Sequence, residues 1–121
     1  ATYDSIVMCK FALVSPQQIA EMLTYATGYT YSVQDLNTAG DRIANLKRAF
    51  NIRCGLKVTD DALPQIVMQP LPDGGTKGKV PNLEVQLKEY YEFRKWDETT
   101  GKPKKEKLTE LGMDDVAREI Y

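Results

Sequence analysis

Two cysteines, Cys9 and Cys54, are the only side chains in this sequence whose type points to redox or metal chemistry, and they stand far apart. Two thiols so separated give neither a disulfide framework nor a complete metal site. Histidine is absent, which removes the usual general base, the commonest transition-metal ligand and every Ser-His or Cys-His nucleophile arrangement. Cys9 sits in an apolar run from Ile6 to Val14 broken only by Lys10, and by residue type alone it reads as a small core residue. Cys54 follows Arg53 and precedes Gly55. A neighbouring cation can activate a thiol, so a redox sensor at Cys54 is an alternative, but the bland reading is favoured and no role is assigned.

Other groupings read as structure. Tyr90, Tyr91, Phe93 and Trp96 interleave with Lys88, Arg94 and Lys95, a pattern that can stack bases, yet their helical spacing argues for core. Glu84, Glu89 and Glu92 keep the segment from being basic, which argues against nucleic acid. Gly74-Gly75 with Lys77-Gly78-Lys79 has neither the preceding strand nor the spacing of a phosphate loop and reads as a turn. Lys104, Lys105 and Lys107 read as a solvated helix face. With 16 basic and 17 acidic side chains, no strong field selects nucleic acid or an anionic membrane. No apolar run is long enough to span a bilayer and no signal-peptide pattern opens the chain. The expectation is a soluble, cytoplasmic protein, entered partway through a domain.

A chain of 121 residues fits one domain, with roughly two-thirds of its unfolded surface available for burial. Ser15, Pro16 and Gln18 form a capping box that opens a helix to about Ala26, with Ile19, Met22, Leu23 and Ala26 on one face and Gly28 closing it. Ser32 and Asp35 repeat the start signal. Leu36, Ala39, Ile43, Leu46 and Phe50 then hold the helical period until Gly55, the clearest helix in the sequence, while the stripe expected to be buried is that of the first helix, Ile19, Met22, Leu23 and Ala26. Pro64, Pro70, Pro72 and Asp73-Gly74-Gly75 break regular structure, predicting an irregular connection around 56–81. After Asn82 the period returns through Leu83, Leu87, Tyr90 and Tyr91 to about Lys95, with Glu84 and Lys88 as a supporting pair. A turn at Thr99 to Pro103, a short helix through Leu108 and Leu111, a stop at Gly112 and a last helix from Asp114 complete an all-α multihelical reading, with 1–121 as a single helical domain.

Read together, these segments gain weight. D-S-I-V-M-C-K at 4–10 resembles the D-x-x-G-L-C-x motif of the aldehyde ferredoxin oxidoreductase family. A-T-G at 26–28, G-D-R-I-A-N-L-K-R-A-F-N-I-R at 40–53, D-D-A-L-P at 60–64, P-L-P-D-G at 70–74, K-G-K-V at 77–80, E-Y-Y-E-F-R-K-W-D at 89–97 and K-L-T-E-L-G-M at 107–113 follow in the order that family shows. Each piece is weak alone; the ordered series carries the resemblance across essentially the whole chain.

The resemblance implies the C-terminal helical part of a much longer enzyme, whose β-rich N-terminal domain and two helical domains close over a tungsten or molybdenum bis-pterin cofactor and one 4Fe–4S cluster. Three cluster cysteines come from an upstream C-x-x-C-x-x-x-C segment in that family. The fourth is the motif cysteine, which maps onto Cys9, and a cubane needs four such thiolates. The resemblance assigns Asp4, Met8 and Cys9 to cofactor binding, with Asp4 accepting hydrogen bonds from a pterin and Cys9 as the one metal ligand; no catalytic residue is carried over. Val7 stands where the motif has glycine and Met8 where it has leucine, and a side chain at Val7 would hold backbone away from the cofactor. The implied activity is oxidation of an aldehyde substrate to a carboxylic acid with electrons passing to ferredoxin. The implied partners are ferredoxin and the remaining domains of the parent chain, and apolar surface left bare without those domains would favour homo-oligomers. The fragment alone is expected to be inactive, and a non-enzymatic helical interaction domain derived from the family is the rival reading.

Overall fold

The computed structural model describes residues 1–121, and six α-helices order the chain: α1 Thr2–Ser5, α2 Pro16–Thr27, α3 Val33–Arg53, α4 Leu83–Arg94, α5 Lys105–Glu110 and α6 Asp114–Ile120. Extended pairing is confined to two isolated bridges, Leu71 with Lys77 and Trp96 with Pro103, so the architecture is all-α as the periodicity predicts. No helix is long and apolar enough to cross a membrane.

The helix starts are chemical. Before α2, Ser15 Oγ accepts from the Gln18 N–H at 3.2 Å while Gln18 Oε1 accepts from the Ser15 N–H at 2.9 Å. Before α3, Ser32 Oγ accepts from the Asp35 N–H at 3.1 Å and Asp35 returns the bond to the Ser32 N–H at 2.8 Å. These reciprocal bonds satisfy amides that have no partner inside the helix. Gly28, at φ 77°, ends α2 in the left-handed conformation.

The buried faces are rotated from those the apolar stripes suggest. On α2, Ile19 and Ala20 are buried while Met22 and Ala26 lie exposed. On α3 only Leu36 of the stripe is buried; Leu46 is exposed and Phe50 is 64% exposed, whereas Gly40, Asn45, Arg48 and Ala49 face inward. The reason is polar: Asn45 and Arg48 are drawn inward by partners on distant segments, and the helix turns as a rigid body to serve them.

α3 is the spine, packing against α1, α2 and α6. Near its start, Ile19, Ala20 and Leu36 form one apolar cluster with Tyr3, Ile6, Met8, Val14, Leu23 and Tyr31 around it. Near its end, Ala49 joins Leu108, Leu111, Met113 and Ile120 in a second. The 56–81 connection is irregular as expected, with single 3-10 turns at Val58–Asp60 and Gln65–Met68. Only 16 of 121 residues are buried, so wide apolar faces of this spine remain open.

Candidate functional site

Asp4 lies in α1, and Met8 and Cys9 follow on the segment between α1 and α2. Cys9 is exposed and unpaired, as is Cys54, so Cys9 is not a core residue. Alternate members of that run divide between two tasks. Ile6, Met8 and Val14 turn inward onto the Ile19, Ala20 and Leu36 cluster, while Val7, Phe11 and Leu13 project outward beside the Cys9 thiol. Met8 is therefore half-buried against the core, anchoring the segment that carries Cys9. The Asp4 carboxylate is largely exposed and lies 3.3 Å from the Ala1 amino group.

The segment is framed at both ends. Thr2 Oγ1 donates to the Leu36 carbonyl at 3.3 Å, and α1 reaches α3 this closely because Gly40 has no Cβ, which would collide with Thr2. The Tyr3 hydroxyl donates to the Val14 carbonyl at 2.6 Å, and the Ser15 capping box follows at once.

Val7 adopts φ 57°, the left-handed region that β-branched side chains avoid. That gives a backbone reason for the glycine of the D-x-x-G-L-C motif. The Val7 side chain is 94% exposed, on the open surface of the segment that carries Cys9. Relief of roughly 1–2 kcal/mol of left-handed strain, less about 0.5–1 kcal/mol for the extra freedom of an unfolded glycine, predicts that Val7→Gly stabilises the protein by up to about 1.5 kcal/mol. Thermal melts of the two proteins check this, and a lower melting midpoint for the glycine variant would contradict it.

No three His, Cys, Asp or Glu side chains are placed to hold a metal ion. One exposed thiol, seated on a braced segment with apolar neighbours, fits one corner of an iron–sulfur cluster whose other thiolates come from elsewhere, and it fits no self-contained site.

The strongest polar cluster lies away from Cys9. Arg48, with a side chain 6% exposed, grips Asp61 through Nη1 and Nη2 at 2.8 and 2.6 Å. Its Nε donates to the Gly101 carbonyl at 2.9 Å and its Nη2 to the Tyr91 hydroxyl at 3.1 Å. Tyr91 in turn donates to Asp61. The guanidinium carbon sits 4.6 Å from the Trp96 ring centroid, and Trp96 Nε1 donates to Asn45 Oδ1 at 2.8 Å. Every buried side-chain nitrogen and oxygen has a partner. Hydrogen bonds from Arg48 hold the Asp61 carboxyl below the usual carboxylate range against the opposing effect of burial. Burial, with Asp61 beside it, pushes Tyr91 up to about 12. All groups are mutually saturated, so this is a lock joining α3, the connection and α4. Residue type alone did not single it out; the available signal was that Asn45, Arg48, Asp61, Tyr91 and Trp96 all fall within the ordered family segments.

Fold and site together define an all-α domain with Cys9 exposed on a braced segment. The family model described as "Aldehyde ferredoxin oxidoreductase, domains 2 & 3" matches residues 1–113. The chain is 37% identical over 117 residues to the tungsten-containing aldehyde ferredoxin oxidoreductase of Pyrococcus furiosus, covering 93% of this chain and 19% of that one. It is 35% identical over 119 residues to the protein of the same name in Pyrococcus abyssi, covering 95% and 19%. It is also 37% identical over 131 residues to the aliphatic sulfonate oxidoreductase, WOR-like subunit, of Pyrococcus furiosus, covering 99% and 21%. The chain belongs to the aldehyde ferredoxin oxidoreductase family, and it spans about a fifth of the length of these relatives.

Proposed function

We propose that these residues are the helical portion of an enzyme that oxidises an aldehyde to its carboxylic acid and passes the electrons through a 4Fe–4S cluster to ferredoxin. The observation that carries this reading is the outward Cys9 thiol on a braced segment, within a chain that matches the family over residues 1–113. When bound, the tungsten or molybdenum bis-pterin supplies the redox chemistry and the cluster relays electrons.

The tasks of this chain's own residues follow from their placement. The Cys9 thiolate ligates one iron. Val7, Phe11 and Leu13, exposed around it, keep water from the cluster when the remaining domains close, which helps set its potential. The Asp4 carboxylate is an acceptor suited to the donor-rich edge of a pterin. Met8 holds the peptide between them against the core. The remaining domains of the parent chain are the partners of the open apolar faces, Leu46 and Phe50 among them.

Aldehyde is preferred over sulfonate as the substrate class because tungsten-containing aldehyde ferredoxin oxidoreductases recur among the relatives. The test is the full-length protein, purified without oxygen from cells supplied with tungstate or molybdate. Aldehyde-dependent reduction of ferredoxin is expected. An iron-free protein with no such activity would favour the non-enzymatic interaction domain.

A further inference from the structure

We propose that Tyr3 is a positioning residue for Cys9, fixing the ligand-bearing segment before any cluster arrives; this rests on Cys9 being a cluster ligand. Tyr3 grips the segment on both sides of that cysteine. Its backbone carbonyl accepts from the Met8 N–H at 2.9 Å, immediately before Cys9. Its hydroxyl donates to the Val14 carbonyl at 2.6 Å, beyond Cys9. Its ring packs against the cluster of Ile19, Ala20 and Leu36, so both grips are referred to the same rigid wall of helices.

The segment between those grips needs such holding. Val7 at φ 57° and Leu13 at φ 55° both occupy left-handed backbone, a conformation that branched side chains leave readily when the chain is free. Val7, Phe11 and Leu13 point outward, so their packing does not hold it within this chain. Without the Val14 bond, the far side of Cys9 is held only by Val14 packing on the cluster and by the Ser15 cap. A ligand held in place by a locked neighbour spends less binding free energy on ordering.

The experiment uses the full-length protein with its cluster and measures the rate at which a ferrous chelator strips iron, together with the electron paramagnetic resonance g-values of the reduced cluster. Tyr3→Phe keeps the packed ring and removes only the hydroxyl bond. It is expected to lose iron about three- to tenfold faster, the range one net hydrogen bond spans, with shifted g-values. Asn82→Ala, which removes the cap of α4, is the stability control and is expected to leave both readouts unchanged. If Tyr3→Phe matches wild type while Cys9→Ala fails to assemble the cluster, the positioning role is overturned and the ligand assignment stands. If Cys9→Ala keeps full iron, both fall. Equal acceleration in Asn82→Ala would reduce Tyr3 to general stability and overturn the proposal.

Discussion

Asp61→Ala is expected to cost about 3 kcal/mol of folding free energy, because breaking a buried ion pair strands the deeper partner. Here that partner is Arg48, whose guanidinium lies among Trp96, Tyr91 and Gly101 and has no other carboxylate. Removal of the half-buried Asp61 therefore leaves a desolvated cation. Asp61→Asn keeps an acceptor in place and is expected to cost less. The pH dependence follows with its sign. Asp61 is held below its usual range chiefly by hydrogen bonds from Arg48, so its contribution is present above the unfolded carboxylate value of about 4 and is lost as pH falls through the lower folded value. Tyr91, raised to about 12, gives stability present below the ordinary phenol value of about 10 and lost as pH rises from there. Wild-type stability should thus show an acid limb and an alkaline limb around a plateau. Asp61→Ala should lower the plateau and shrink the acid limb. Denaturant unfolding across pH measures both, and a variant within about 0.5 kcal/mol of wild type, the usual range for surface changes, would contradict the account.

Gly101→Ala is the second large effect. Gly101 has φ 69°, and a Cβ built there collides with the Arg48 guanidinium, which is itself pinned by Asp61, Tyr91 and the Gly101 carbonyl. The left-handed backbone costs roughly 1–2 kcal/mol for a side chain, and displacing a packed, bonded group adds about 1–3 kcal/mol. A total loss of about 2–5 kcal/mol is expected from these two terms. The same substitution at Gly28 meets open space and should carry only the backbone part. The difference between the two variants in urea unfolding isolates the collision, and equal losses would show that Arg48 yields freely.

These two sites also show where sequence reading stops. Helix starts at Ser15 and Ser32 were legible because a capping box is written within four consecutive residues, and the residues that end each helix are as local. The irregular connection was legible from its prolines and glycines. Which face of α3 turns inward was not. Its apolar stripe through Leu46 and Phe50 argued one way, but Arg48 and Asn45 answer to Asp61, Tyr91, Trp96 and Gly101, and no local window joins those positions. Three of the segments that carry the family resemblance, 40–53, 60–64 and 89–97, meet in this lock. Cys9 illustrates the reverse case: residue type placed it in a core, and it is exposed, while its cofactor role rests on the motif. Val7 was legible as a departure from glycine, but the reason lay in a backbone angle. Tyr3 gave no signal at all, since its hydroxyl works on a carbonyl eleven residues away.

The most direct measurement is the iron content of the full-length protein, purified without oxygen, with and without the thiol at position 9. A 4Fe–4S cluster needs every one of its thiolate anchors, so wild type should carry about four irons per chain and Cys9→Ala should lose the cluster and its electron transfer. Full iron and unchanged electron transfer in Cys9→Ala would contradict the assignment.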